Sequence, residues 1–117
     1  MCIRDRLINR GTTLIACLVG ELDHHTVEYV RKKIDGEMMK SSTQNIIFDF
    51  SKVEFMDSSG IGTIIGRYNT IRRLNGKAAI VNPNPQVRRI LEMSGLLKII
   101  PVCDSIDNAN NYFGMGA

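Results

Sequence analysis

The hydrophobic period of this chain switches repeatedly along its length, and that switching limits the folds open to it. Thr13–Val19 is a β-type apolar run, followed by a polar loop over residues 20–25. From Thr26 onward, Val27, Val30, Ile34 and Met38 recur at intervals of three and four, which lines one face of a helix. Asn45–Phe50 is short, apolar and bounded by polar residues, as a buried central strand should be. Ile61, Ile64, Ile65, Tyr68, Ile71 and Leu74 restore the helical period, which ends near Asn75-Gly76. Residues 77–82 predict another strand. Pro83 and Pro85 then open a helix carrying Val87, Ile90 and Leu91, with Gly95 closing it. Residues 98–102 predict the last strand, and Ser105 caps a terminal helix that uses Ile106, Ala109 and Phe113.

Strands that alternate with helices call for crossover connections, so the expected class is α/β with a mostly parallel sheet. The segment before Gly11 is expected to add an edge strand, joined through Asn9-Arg10-Gly11. At 117 residues the chain fits a single domain, 1–117, with no linker, low-complexity tract or internal repeat. Three Tyr, four Phe and no Trp leave its core mostly aliphatic.

Charge and cysteine usage narrow the function classes. A net charge of +3 falls well short of the basic footprint of nucleic-acid binders. Arg67, Arg72, Arg73, Lys77, Arg88 and Arg89 are expected mostly on the solvent faces of helices. No apolar run approaches the roughly 20 residues of a membrane span, and the N-terminus lacks a signal-peptide core. Cys2, Cys17 and Cys103 form no C-x-x-C pair, so neither a disulfide framework nor a zinc site is indicated, and Cys17 reads as a small core residue. A cytoplasmic location is expected.

The informative stretch is Phe55-Met56-Asp57-Ser58-Ser59-Gly60-Ile61-Gly62, between a buried strand and a long amphipathic helix. Asp57, Ser58 and Ser59 are all N-cap types, and composition alone favours a helix cap. Yet a cap needs one such residue, and here three stand together before two glycines. A serine at this point is exposed at the positive end of the helix dipole, where backbone N–H groups can hold a phosphate. Phosphorylation would add about −1.5 to −2 charge there without unfolding the helix. A charge that repels a partner and leaves the fold intact is what a binding switch requires.

Gly20-Glu21-Leu22-Asp23-His24-His25-Thr26, the Asp57-Ser58-Ser59-Gly60 stretch, Gly66-Arg67-Tyr68 and Met93-Ser94-Gly95-Leu96 together resemble the STAS-domain anti-sigma factor antagonists. Within that family the likeness is to the sporulation sigma-F type of spore-forming Firmicutes, and it extends from about Thr13 to Ile100. The resemblance implies the STAS fold, a mixed, mostly parallel sheet of about four to five strands flanked by about four helices. It implies a non-enzymatic protein with no cofactor that captures a GHKL-type anti-sigma factor serine kinase and frees a sporulation sigma factor. It implies inactivation by phosphorylation on Ser58 and restoration by a PP2C-type phosphatase. The partner-binding surface it implies comprises Glu21, Asp23, His24, His25 and Thr26 with Met56, Asp57, Ser58, Ser59, Gly60, Ile61 and Gly62. An alternative is a STAS interaction module within a larger signalling or transporter-regulating complex. Residues 1–10 match the family's first strand poorly, and Met1-Cys2-Ile3-Arg4-Asp5-Arg6 reads as non-native sequence.

Other chemistries fit the residues less well. Gly60, Gly62 and Gly66 are spaced one residue too far apart for G-x-G-x-x-G, and no second strand closes on an acid about 20 residues later. Gly62 and Gly66 are instead expected to let the helix approach the sheet. There is no G-x-x-x-x-G-K-[ST] string and no G-x-S-x-G elbow, so no catalytic residue is assigned. Asp23, His24 and His25 could be imagined as metal ligands, but neighbouring side chains in an extended segment point apart, so no metal site is assigned.

Overall fold

The structure, a computed structural model, describes residues 6–10, 13–40 and 43–115. Its strands are β1 (Arg6–Arg10), β2 (Thr13–Leu22), β3 (Asn45–Met56), β4 (Ala78–Val81) and β5 (Val102–Cys103). Its helices are α1 (Val27–Lys40), α2 (Ser58–Arg73), α3 (Pro85–Met93) and α4 (Ile106–Met115). The strands lie side by side in chain order. β1 runs antiparallel to β2, and β2 to β5 run parallel to one another. The expected edge strand is therefore Arg6–Arg10; residues 1–5 of the segment that reads as foreign lie outside the described residues.

Each step from β2 to β5 moves one place in the same direction. Right-handed crossovers then put every connecting helix on one face of the sheet. The alternation of side chains along each strand matches that layout. Leu14, Ala16, Leu18, Ile46, Phe48, Phe50, Ala78 and Ile80 point into one cluster with Val30 and Ile34 of α1, Ile61, Ile64 and Ile71 of α2, and Val87 and Leu91 of α3. The intervening Ile15, Ile47, Ala79 and Val81 point the other way and meet Ala109 and Phe113 of α4, the one helix that follows the last strand.

Several expected boundaries move. β2 continues through the predicted loop to Leu22, and β3 runs six residues beyond Phe50. In that extension Val53 and Met56 are buried while Ser51, Lys52, Glu54 and Phe55 are exposed, so no apolar run marked it. Register shifts at residues 17–19 and 20–21, with Gly20 at φ 98°, bend β2 so that Glu21 pairs with Phe55 and Leu22 with Met56. The paired ends carry the turns described below.

The predicted strand over residues 98–102 is mostly not one. Leu96–Lys98 forms a 3₁₀ turn after Gly95 at φ 81°, and pairing is confined to Val102–Cys103. Pro101 has no N–H to donate, although its carbonyl accepts from Ile80 N at 2.9 Å. Cys17 is half-buried at the edge of the smaller core cluster, and its Sγ lies 3.6 Å from Asp49 Oδ2. Arg67 departs most from expectation. It is buried between α1 and α2, not on a solvent face. The expected cap at Ser105 is present, its Oγ accepting from Asn108 N at 3.0 Å, and α3 is capped by Asn84, which accepts from Val87 N at 2.7 Å.

Candidate functional site

At the β3–α2 junction, Asp57 is extended (φ −117°, ψ −169°) and caps α2. Its Oδ1 accepts from Ser59 N at 2.8 Å and Gly60 N at 3.3 Å. Its own N–H donates to Leu22 O at 3.2 Å, tying the helix start to the end of β2. Gly60 is needed at the same contact. A Cβ on it would stand 2.6 Å from Leu22 O and 3.0 Å from Leu22 Cγ. The close approach expected at Gly62 and Gly66 is thus at Gly60 instead, since added Cβ atoms at 62 and 66 would meet nothing within 4 Å.

With Asp57 holding the backbone, Ser58 becomes the first helical residue with its side chain exposed. Its hydroxyl has no hydrogen-bond partner among the described residues. The N–H groups of Ser59 and Gly60, expected to be open to a phosphate, are already taken by Asp57. A charged group on Ser58 would therefore be favoured by the helix dipole beside an existing carboxylate, rather than enter an empty anion cradle.

The β2–α1 turn faces this junction and is built in a similar way. Asp23 Oδ1 accepts from His25 N at 2.9 Å, and Asp23 O accepts from Thr26 N and Val27 N, each at 3.0 Å. The Thr26 hydroxyl donates to Glu21 O at 2.8 Å and accepts from Asp23 N at 3.0 Å. Partial loss of water pushes the Asp23 carboxyl up, but the hydrogen bonds from His25 and Thr26 outweigh it and hold its pKa below the ordinary carboxylate value. Asp23 therefore shapes its own turn. His24 and His25 are exposed and, because the turn is not extended, their rings stack with centroids 3.9 Å apart. His24 Nδ1 lies 3.9 Å from Asp57 Oδ2 and links the two turns when protonated. No group of three or more His, Cys, Asp or Glu side chains among the described residues is placed to hold a metal ion.

The residues singled out from the sequence divide into two sets. Glu21, Asp23, His24, His25, Thr26, Asp57, Ser58, Ser59 and Gly62 come together as one surface with at least partial exposure. Met56, at 1% exposure, and Gly60 and Ile61 lie in or against the core, so these three correct the expectation that they offer contact atoms. Met56 is drawn inward because it ends the buried side of β3. Phe55, its neighbour on the opposite face, is 39% exposed beside Glu21 and, although part of the informative stretch, was not among the expected contact residues. The alternation along β3 was the available signal, and it was obscured by the polar residues before it.

Residues 6–109 match the STAS domain family. The chain belongs to the STAS-domain family, among its anti-sigma factor antagonists. The anti-sigma F factor antagonist of Paenibacillus polymyxa is 45% identical over 101 residues, covering 86% of this chain and 86% of that protein. The unphosphorylated form of the anti-sigma factor antagonist SpoIIAA superposes with a TM-score of 0.80 at 32% identity, covering 97% of each chain. The phosphorylated form of the Bacillus cell fate determinant SpoIIAA gives 0.70 at 32% identity, covering 95% of this chain and 98% of that one. In this STAS domain the paired strand ends that carry Glu21 and Phe55 set the two capped turns side by side. No helix among the described residues is long and apolar enough to cross a membrane.

Proposed function

We propose that this STAS domain is a phosphorylation-controlled binding switch with Ser58 as the modified residue. The unmodified protein captures a GHKL-type anti-sigma factor serine kinase and so releases a sporulation sigma factor. The kinase inactivates it by phosphorylating Ser58, and a PP2C-type phosphatase restores it. It acts in the cytoplasm by contact, not by turnover. The observation that carries this reading is the geometry at Ser58: a free, exposed hydroxyl on a backbone fixed from beneath by Asp57 and Gly60. A modifying enzyme can reach such a hydroxyl without the fold giving way. The existence of a phosphorylated form of the similar SpoIIAA supports the same reading.

The surface around Ser58 supports contact with a partner. His24, His25 and Ser58 are exposed, Glu21 and Asp57 add carboxylates, and Phe55 offers an aromatic side chain. A phosphate on Ser58 adds about two negative charges next to Asp57, where a desolvated interface would tolerate them poorly. Incubation with the cognate kinase and ATP, followed by mass spectrometry, tests the assignment. One phosphate per chain, on Ser58, is expected. Phosphate on Ser59 with Ser58 intact, or none at all, overturns it.

A further inference from the structure

Most polar groups around Ser58 are already spent within the fold. Thr26 Oγ1 bonds to Glu21 O and Asp23 N, and Asp23 Oδ1 holds His25 N. Asp57 Oδ1 takes the N–H groups of Ser59 and Gly60, while its Oδ2 faces His24. Gly62 has no side chain to offer. Ser58 has to stay open to an incoming phosphate, so it is not a group to be sealed in a pocket. His24 and His25 are exposed and rest on each other, ring centroids 3.9 Å apart. Polar and charged groups of this kind steer and select a partner more than they hold it.

Phe55 differs from all of these. A lone exposed apolar side chain is ordinary on a protein surface, so its place matters more than its exposure. Met39, Leu74, Met93, Ile99 and Tyr112 are exposed too, but they lie at or beyond the C-terminal turns of the helices. With β2 to β5 parallel, those turns are at the end of the sheet opposite the two capped turns. Tyr29, in the first turn of α1, has Lys33 Nζ 5.6 Å from its ring centroid. Phe55 pairs with Glu21 one rung before Leu22 and Met56, and Asp57 N donates to Leu22 O. Three residues of chain span at most about 11 Å, so the Phe55 backbone lies within that distance of Ser58. An interface of about 800 Å² per partner, drawn as a disc, has a radius of roughly 16 Å. A partner of ordinary size seated over Ser58 therefore reaches Phe55. The ring is also prepared for contact, since the β2–β3 ladder fixes its backbone and only two side-chain torsions remain to be ordered. Large aromatic side chains dominate the energetics of such contacts.

We propose that Phe55 is the anchor of the partner interface, its ring entering an apolar pocket on the anti-sigma factor kinase. The proposal rests on the reading of Ser58 as the switch, and it names what the switch acts on. A phosphate on Ser58 stands close to an apolar contact that must shed water, where an unpaired charge costs most. Calorimetric titration of Phe55→Ala with the cognate kinase in the absence of ATP, beside the wild-type protein, tests it. Binding should weaken at least tenfold, and by about 30-fold at the ordinary strength of an interface hot spot. Met93→Ala, which removes a more exposed apolar side chain on α3, should leave the affinity within about twofold. In the wild-type complex, broadening of the Phe55 ring signals by a soluble gadolinium chelate should fall well below that in the free protein. This last readout decides the matter if Phe55→Ala does not fold. A folded Phe55→Ala that loses less than about tenfold, an equal loss in Met93→Ala, or ring signals as accessible in the complex as in the free protein each overturns the anchor. Failure of the wild-type protein itself to bind the kinase overturns the switch reading, and the anchor with it.

Discussion

The two turns that make the candidate surface use the same device and differ in what they leave free. In each, an aspartate accepts from backbone N–H groups just ahead, Asp23 from His25 and Asp57 from Ser59 and Gly60. In each, the residue after the aspartate is exposed, His24 in one and Ser58 in the other. The difference lies in the anchor. The β2–α1 turn is held by a side chain, the Thr26 hydroxyl, which bonds to both Glu21 O and Asp23 N. The β3–α2 junction is held by backbone packing, with Gly60 against Leu22 O. A side-chain anchor has alternatives when one bond is lost, whereas a close backbone contact has none. The rigid turn carries the residue proposed to be modified, and the more adaptable turn presents the imidazoles.

The largest effect should fall on partner binding through the rigid turn. Ser58→Asp places an unpaired charge in the contact, at a cost of about 3–5 kcal/mol if fully desolvated. Kinase binding measured by calorimetry should weaken by roughly 10²- to 10³-fold. Thermal stability should stay within about 0.5 kcal/mol, since the side chain is exposed at a favourable helix end. Ser58→Ala should bind and resist inactivation. Amide shifts on phosphorylation should be confined to residues 20–27 and 55–66; changes spread across the sheet would mean that the junction is not rigid.

The anchors can be compared next. Gly60→Ala drives a Cβ to 2.6 Å from a backbone oxygen and should destabilise by about 1–3 kcal/mol in urea unfolding. Gly62→Ala, two residues along the same helix with open space around it, should stabilise by about 0.5–1 kcal/mol. Equal effects at the two positions would remove the backbone anchor from the comparison.

Removing the aspartates separates the turns further. Asp57→Ala should cost about 1 kcal/mol, the ordinary value of an N-cap. Asp23→Ala should cost less, because the Thr26 bonds to Glu21 and to the Asp23 backbone survive it. The reverse order would show that the β2–α1 turn is the stiffer one.

The smallest expected effect is a pH dependence. The folded pKa of Asp23 lies below its ordinary 3.8, so its contribution to stability is complete above that value. It is lost as the pH falls through the folded pKa. Acid titration of unfolding should therefore show a small loss below about pH 4 that Asp23→Asn removes. An unchanged profile in that variant would mean that the charged form of Asp23 adds nothing to its turn.

Much of this was legible from residue order. The apolar period located α1, α2 and α3, and the N-cap expected at Ser105 was met. The Asp57-Ser58-Ser59 cluster was recognisable as a helix start of unusual composition, but which of the three caps the helix was not. The structure makes Asp57 the cap and frees Ser58. Phe55 and Met56 were adjacent letters of one apolar stretch until the pairing of β2 with β3 sent one outward and the other into the core.

Local sequence decided what depends on neighbours a few positions away: the helical spacing of Val27 to Met38, the strand character of Asn45–Phe50, and the polar caps. It also decided the family, because the capped turns are written as contiguous strings. Tertiary structure alone decided what depends on distant partners. Gly60 is required because Leu22, nearly forty positions earlier, brings its carbonyl to the helix start. Arg67 is buried because α1 packs against α2 and sets Asp35 beside it, although its letter and spacing read as a solvent-facing charge. A periodicity records which face of a helix is apolar; whether a charge beside that face meets water or another helix is settled only when the second helix is in place.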